Sequence, residues 1–131
     1  MSELSGRAKR PPRILIVSRL SGSEQEVREN IDNARRISKR VISAGGAPFA
    51  AHLLYPQFLN DRVQADRDRG MEAGDSWSEV ADAALVYTGR GTSPGMSHDI
   101  ELLRIRGIPT HYVERIDHVE EALAWISAAR A

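Results

Sequence analysis

Ala84-Leu-Val-Tyr87 is a short apolar run, and the turn Thr88-Gly-Arg-Gly-Thr-Ser-Pro-Gly95 follows it. Met96-Ser-His-Asp-Ile-Glu-Leu-Leu-Arg-Ile-Arg106 comes next, and the breaker Gly107-Ile-Pro109 ends that stretch. The order predicts a strand, a glycine-rich turn, a helix and a further strand. Ser93 suits the helix N-cap and Pro94 the first helical position. The unpaired N–H groups at such a helix start favour an anion.

Asp99 decides the functional question on this helix. At about 100° per residue it falls on the side of Met96 and Leu103, so we expect its carboxylate to point in over the sheet end. Glu101 falls roughly 200° away and is expected to face water, paired with Arg104. The alternative for Asp99 is a carboxylate satisfied by local N–H groups near the helix start.

The remaining chain alternates in the same way. Strands are predicted over residues 13–17, 47–51, 83–87 and 110–113, and helices over 24–44, 62–81, 96–106 and from about 117 onward. Asp117 and Glu120 are expected to form a capping box. Met71, Trp77 and Val80 are expected to be the buried side of the polar helix over 62–81. The alternation predicts a three-layer α/β fold with a mostly parallel sheet of four to five strands.

Composition bounds the class of protein. The 131 residues suit one domain over 13–131, preceded by a polar leader, 1–12, that we expect to be disordered rather than a nucleic-acid-binding arm. Eighteen basic residues balance 18 acidic ones, so neither nucleic acid nor a membrane surface is expected as a partner. Cysteine is absent, and no apolar run approaches the roughly 20 residues of a membrane span. A cytoplasmic location is expected.

Ligands of open parallel sheets bind outside the carboxyl ends of the strands. The loops at that edge are residues 18–23, 52–61 and 89–95, and they carry hydroxyls, free N–H groups and large apolar side chains. The four histidines lack acidic companions at metal-ligand spacing, so no metal is expected. His52 taken alone is more often a structural histidine. The predicted ligand-binding residues are Ser18, Arg19, Ser21, Gly22, His52, Tyr55, Phe58, Gly89, Ser93, Gly95 and Met96.

A phosphorylated ligand facing Asp99 is therefore expected, since serine-glycine turns suit phosphate. A carboxylate beside a sugar can attack the anomeric carbon or stabilise an oxocarbenium-like transition state. Asp82 and Asp61 are the candidates for a second carboxylate that positions the nucleophile or protonates the leaving base.

Several motifs resemble those of a known family. They are the helix segment 29–34, the run Ala-Pro-Phe-Ala-Ala-His-Leu-Leu-Tyr-Pro-Gln-Phe-Leu over 47–59, Arg-x-x-Gly-Met over 67–71, and Ser-Pro-Gly-Met-x-x-Asp-Ile-Glu from 93. Over residues 13–113 the chain is similar to a small bacterial and phage branch of the nucleoside 2-deoxyribosyltransferase-like superfamily. The resemblance implies a flavodoxin/Rossmann-like fold, homodimers or larger oligomers, and cleavage or exchange of a nucleoside or nucleotide N-glycosidic bond without a cofactor.

The resemblance also implies roles for individual residues. Asp99 takes the place of the nucleophilic glutamate, one methylene shorter, and Asp82 that of its partner aspartate. The phosphate of a monophosphate would be held by Ser18, Arg19, Ser21 and Ser93. We therefore expect an N-glycosidase acting on a nucleotide, with a nucleoside 5′-monophosphate as the first candidate. The alternatives are a non-catalytic nucleotide-binding or sensing module and, third, a structural or interaction protein.

Overall fold

The computed structural model describes residues 10–130. Its strands are β1 (Arg13–Val17), β2 (Ala47–Phe49), β3 (Ala83–Tyr87) and β4 (Thr110–Val113). Its α-helices are α1 (Glu24–Ser43), α2 (Ala51–Leu54), α3 (Gln64–Ser78), α4 (Pro94–Arg106) and α5 (Val119–Arg130). Single 3-10 turns occupy Tyr55–Gln57 and Ile116–His118. Most of the predicted leader, residues 1–9, lies outside the described residues.

The sheet confirms the predicted fold class. All four strands pair in parallel, in the order β2-β1-β3-β4. The chain therefore moves outward in one direction from β1 to β2 and in the other from β1 through β3 to β4. This reversal of strand order lies between β1 and β3, where α/β proteins of this type bind ligands.

Two apolar layers cover the two faces of the sheet, as a three-layer α/β fold requires. Alternate residues of β1 point to opposite faces. Ile14 and Ile16 join the cluster formed with α1 and α5, whereas Leu15 and Val17 join the cluster formed with α4. The all-apolar pattern of β1 and β3 thus reflects burial on both faces. Within residues 10–130 no helix combines the length and the apolar character that crossing a membrane requires.

Helix α4 begins as predicted. Ser93 is its N-cap and accepts the N–H of Met96 at 3.3 Å, Pro94 occupies the first turn, and Gly107 ends the helix with a left-handed φ of 69°. The expected pair on the outer face is also confirmed, because Arg104 Nε donates to a Glu101 oxygen at 3.0 Å. These local signals fix where the helix starts and which face points inward.

Three details of the sequence prediction are wrong. Asp117 does not cap a helix, because its carboxylate binds Arg115 and the chain makes a 3-10 turn before α5. The capping box of the described chain lies instead at Ser23 and Glu26, at the start of α1. Met71, Trp77 and Val80 are exposed to 38%, 56% and 47% rather than buried.

Residues 10–12, the described end of the predicted leader, form hydrogen bonds to Asp82, directly before β3, and to Ala47 in β2. The guanidinium of Arg10 binds the carboxylate of Asp82 through two hydrogen bonds, of 2.5 and 3.0 Å. The carbonyl of Pro12 accepts the N–H of Ala47 at 2.8 Å. The chain entering β1 is therefore part of the domain.

Candidate functional site

A cleft of about 150 Å³ opens at the carboxyl end of the sheet, beside the reversal of strand order. Its walls come from the turn after β1, from α2 with the 3-10 turn after it, from one face of α3, and from the first turns of α4. Six of the predicted ligand-binding and catalytic residues line it: Ser21, His52, Tyr55, Ser93, Gly95 and Asp99. The loops expected to converge therefore do so.

Asp99 lines the cleft and is half-buried. Within residues 10–130 its carboxylate has no hydrogen-bond donor and no salt-bridge partner, so the alternative of local N–H groups satisfying it is not met. Burial raises the pKa of Asp99 to about 6; the nearby His98 lowers the pKa and the Asp75 charge raises it. A carboxylate kept out of water without a partner is unfavourable to folding, and such groups concentrate at functional sites.

Asp75, which the sequence did not single out, is the carboxylate next to Asp99. Its oxygens accept from Nε2 of His98 at 2.9 and 3.1 Å. One donor atom from each of Asp75, His98 and Asp99 lies within 4.8 Å of the others. The hydrogen bond between His98 and Asp75 explains their approach, and we assign no metal to the group. The carboxylate of Asp75 is thus hydrogen-bonded to His98, whereas the carboxylate of Asp99 beside it has no hydrogen-bond partner within residues 10–130.

One face of α3 accounts for the residues that sequence reasoning missed. The cleft residues of this helix recur every three or four positions: Asp66, Arg67, Gly70, Met71, Gly74, Asp75 and Ser78. A Cβ added at Gly74 would stand 3.6 Å from Cβ of Ala51, an ordinary van der Waals contact, so α3 packs beside α2 at this point. The available sequence signal was the spacing of Gly70 and Gly74, which lie four residues apart and therefore share one face of an otherwise polar helix.

Arg106 fixes the end of α3 against α4. Its guanidinium donates to the carbonyl oxygen of Asp75 at 2.6 Å and to the hydroxyl of the buried Ser78. Because Arg106 and Asp99 belong to the same helix, this contact holds the Asp75 segment beside Asp99. Arg106 is thus a positioning residue for the carboxylate pair.

Ser18 and Arg19, two of the residues predicted to bind phosphate, form hydrogen bonds within the protein and do not line the cleft. Ser18 is buried, and its carbonyl oxygen lies 2.8 Å from Nε2 of His52. The guanidinium of Arg19 donates to the carbonyl oxygens of Ser21 at 3.1 Å and Thr92 at 3.3 Å. Arg19 therefore ties the turn after β1 to the turn before α4 and does not line the cleft.

Four further predicted residues lie outside the cleft. Met96 is buried in the core, and Phe58 is 66% exposed with its ring edge against Tyr55. A side chain at Gly89 would overlap the hydroxyl of Tyr87 and lie 2.6 Å from the carbonyl oxygen of Glu114, so close packing explains this glycine. Gly22 has a φ of 151° in the turn before α1 and does not line the cleft.

The assignment of Asp82 as the partner of Asp99 is wrong. Asp82 precedes β3, so it lies at the amino end of the sheet, opposite the cleft. It accepts hydrogen bonds from Arg10 and, at 2.7 Å, from the N–H of Arg13. The bond from Arg10, with the N–H of Arg13 and the charges of Arg10 and Arg130, lowers the pKa of Asp82 to about 2. Asp61, the other candidate, does line the cleft.

The charges of the cleft are mostly negative. Four aspartates line it (Asp61, Asp66, Asp75 and Asp99) against one arginine, Arg67. Within residues 10–130 the guanidinium of Arg67 has no hydrogen bond or ion pair. Arg67 and the first turn of α4, where the N–H of Gly95 has no acceptor within the helix, are the groups of the cleft that favour an anion.

The aromatic wall contains an unpaired polar atom. The ring of Tyr55 packs edge-on against Phe49 and Phe58, at centroid distances of 6.3 and 6.0 Å. Its hydroxyl is buried and, within residues 10–130, has no hydrogen-bond partner. Of these three rings only that of Tyr55 lines the cleft, and aromatic side chains are common in the walls of ligand-binding sites.

Comparison with known proteins assigns a family. No curated protein matches this chain. Residues 12–113, from the end of the leader through β4, match the family described as Domain of unknown function (DUF7768). The match spans β1 to β4 and every residue of the cleft, and the chain therefore belongs to this family.

Proposed function

We propose that the protein is an N-glycosidase that cleaves or exchanges the bond between base and sugar of a nucleoside or its 5′-monophosphate in this cleft. The single observation that carries the proposal is Asp99, a half-buried carboxylate that lines the cleft and has no hydrogen-bond or salt-bridge partner within residues 10–130. The motifs over residues 13–113 that resemble nucleoside 2-deoxyribosyltransferases support the same reaction.

The chemistry assigned to Asp99 follows from its charge. Above pH 6 the carboxylate is ionised, and one oxygen can form a bond to the anomeric carbon as the bond from that carbon to the base nitrogen breaks. The electron pair of the broken bond stays on the base, which takes up a proton. Water, or a second base, then displaces the carboxylate and regenerates it.

Asp75 replaces Asp82 as the second carboxylate in this mechanism. It lies beside Asp99 and is bonded to His98, so the two side chains together can hold a proton close to the leaving base. The proximity also raises the pKa of Asp99, which makes that carboxylate a stronger nucleophile once ionised.

The charges of the cleft suit an uncharged nucleoside better than they suit a phosphate group. Three aspartates besides Asp99 line the cleft, and like charges disfavour a bound phosphate. A 5′-phosphate would be stabilised by the N–H groups at the start of α4 and by the guanidinium of Arg67, which has no hydrogen bond or ion pair within residues 10–130. A nucleoside and its monophosphate must therefore be compared directly.

Base release and ligand binding, measured on the same samples, test the proposal. The protein is incubated with ribo- and 2′-deoxyribonucleosides and with their 5′-monophosphates, and free base is quantified by chromatography while thermal shift reports binding. We expect both a rise in melting temperature and release of base in at least one class. Binding without release would make the protein a nucleotide-binding module, and the absence of both would reject the cleft as a nucleoside site.

A further inference from the structure

His52 combines a fixed ring with a position on the cleft wall. It belongs to α2, the short helix directly after β2, and lines the cleft. Its Nε2 lies 2.8 Å from the carbonyl oxygen of Ser18, at the end of the neighbouring strand β1. The ring is thus held by the backbone of the sheet and does not depend on a mobile side chain for its orientation.

The hydrogen bond to Ser18 settles which nitrogen carries the proton. A carbonyl oxygen can only accept, so Nε2 must be the N–H nitrogen of the imidazole. Burial lowers the pKa of His52, and this effect outweighs the bond to Ser18 and the Asp61 charge, which raise the pKa. The ring is therefore neutral at physiological pH, and Nδ1 carries a lone pair. Within residues 10–130 no group donates a hydrogen bond to Nδ1.

We propose that Nδ1 of His52 is a hydrogen-bond acceptor that selects ligands presenting an N–H or O–H donor to this wall of the cleft. The inference rests on the proposed binding of a nucleoside and adds a rule of substrate choice to it. A nucleoside carries such donors in three places: the exocyclic amino group of some bases, the ring N–H of others such as hypoxanthine and uracil, and the hydroxyls of the sugar. A ligand with a carbonyl oxygen at the contact would place two acceptors against each other, which costs binding energy.

Two substitutions separate this role from the structural one. In His52→Gln the amide nitrogen can still donate to the Ser18 carbonyl, but the acceptor at the Nδ1 position is lost. In His52→Asn an amide oxygen can replace the Nδ1 acceptor, but the bond to Ser18 is lost. A purely structural histidine predicts that Asn is harmful and Gln is silent, whereas an acceptor role predicts that Gln changes ligand choice without changing stability.

The experiment measures dissociation constants and base release for matched pairs of probes. Adenosine against inosine and cytidine against uridine test the base donor, and adenosine against its 2′- and 3′-deoxy forms tests the sugar donors. Adenosine and cytidine present an amino donor beside a ring acceptor, whereas inosine and uridine present a carbonyl acceptor beside a ring N–H donor. We therefore expect wild type to favour one member of at least one probe pair by about five- to tenfold. His52→Gln should lose that preference at an unchanged melting temperature.

The outcomes distinguish this inference from the proposed function. Equal affinities within every pair for wild type, or a preference retained in His52→Gln, would overturn the acceptor role even if base is released. A preference that His52→Gln abolishes, with no base released, would support the acceptor and reject the glycosidase. Binding of no probe would reject both.

Discussion

Two aspartates at opposite ends of the same sheet differ in almost every physical respect. Asp82, at the amino end, accepts from Arg10 and from a backbone N–H, and its pKa is lowered to about 2. Asp99, at the carboxyl end, is half-buried without a partner in the described chain, and its pKa is raised to about 6. Asp82 directly precedes β3, and Asp99 lies in the helix that follows the same strand. The first carboxylate is paired with arginine, whereas the second lines a cleft.

The difference separates a structural carboxylate from a chemical one. Asp82 joins the chain entering β1 to the start of β3, and the charge of Arg130 in α5 lies nearby, so its interactions contribute to stability. Asp99 contributes no contact of this kind and lowers stability when it ionises. Unfavourable groups of this type concentrate at functional sites, and this tendency supports the role that we propose for Asp99.

The largest expected effect concerns the reaction. Asp99→Asn removes the charge that attacks or stabilises the anomeric centre, so base release should fall by about 100- to 1000-fold or more while thermal shift still reports binding. Glu101→Gln is the matched control, because Glu101 is on the same helix but faces solvent, paired with Arg104. Equal activity of Asp99→Asn and wild type would remove Asp99 from the mechanism.

The next effect concerns stability at the amino end of the sheet. Asp82→Asn should lower the free energy of unfolding at pH 7 by about 1 kcal/mol, because it weakens charge-assisted hydrogen bonds that solvent partly screens. Since the pKa of Asp82 is depressed from 3.8 to about 2, its contribution is present above pH 3.8 and is lost as the pH falls toward 2. Denaturant titrations across this range check the prediction.

Asp117→Asn serves as the control for Asp82, since Asp117 also binds an arginine but is exposed. Exposed ion pairs contribute little, so the stability of this variant should match that of wild type. Comparable losses in the two variants would mean that Asp82 is an ordinary surface carboxylate, and the contrast between the two ends of the sheet would disappear.

An effect of opposite sign is expected at Asp99. Its pKa is raised from 3.8 to about 6, so ionisation costs folding energy that is absent below pH 3.8 and fully present above pH 6. Asp99→Asn should therefore raise the free energy of unfolding at pH 8 by about 1–2 kcal/mol and leave it unchanged near pH 3.5. A destabilised variant at pH 8 would indicate that the carboxylate has a partner after all.

The smallest effect is expected at Tyr55. Its hydroxyl is buried and has no hydrogen-bond partner in the part of the chain that the structure describes. Tyr55→Phe therefore removes an unsatisfied polar atom and should change the free energy of unfolding by less than about 1 kcal/mol, toward stabilisation. Tyr112→Phe, at an exposed position on the edge strand, is the control. A loss of more than 1 kcal/mol in Tyr55→Phe alone would show that the hydroxyl is hydrogen-bonded.

Local sequence signals were sufficient to predict the fold and the side of the cleft that α4 forms. The apolar runs of β1 and β3, the Ser93-Pro94 start of α4 and the helical spacing of Asp99 depend on interactions within a few residues. They predicted the elements, the cleft at the carboxyl edge and the inward direction of Asp99. The same spacing placed Glu101 outward, where it pairs with Arg104.

The positions of Asp75 and Asp82 depend on contacts between residues that are distant in sequence. Asp75 lies beside Asp99 because Arg106 holds the end of α3 against α4, and this contact between residues far apart in sequence has no periodic signature. Asp82 was assigned to the site by resemblance, although a residue directly before a parallel strand lies at the edge opposite the ligand loops. Strand direction, applied residue by residue, would have corrected that assignment.

The most direct measurement is the titration of the Asp99 carboxyl carbon by ¹³C NMR, with Asp99→Asn used to identify its resonance. We predict a midpoint of about 6 in wild type and a lower one in Asp75→Asn, because the Asp75 charge helps to raise the pKa. A midpoint at or below 3.8 would mean that the carboxylate is hydrated or paired, and Asp99 would then be no different in kind from an ordinary surface aspartate.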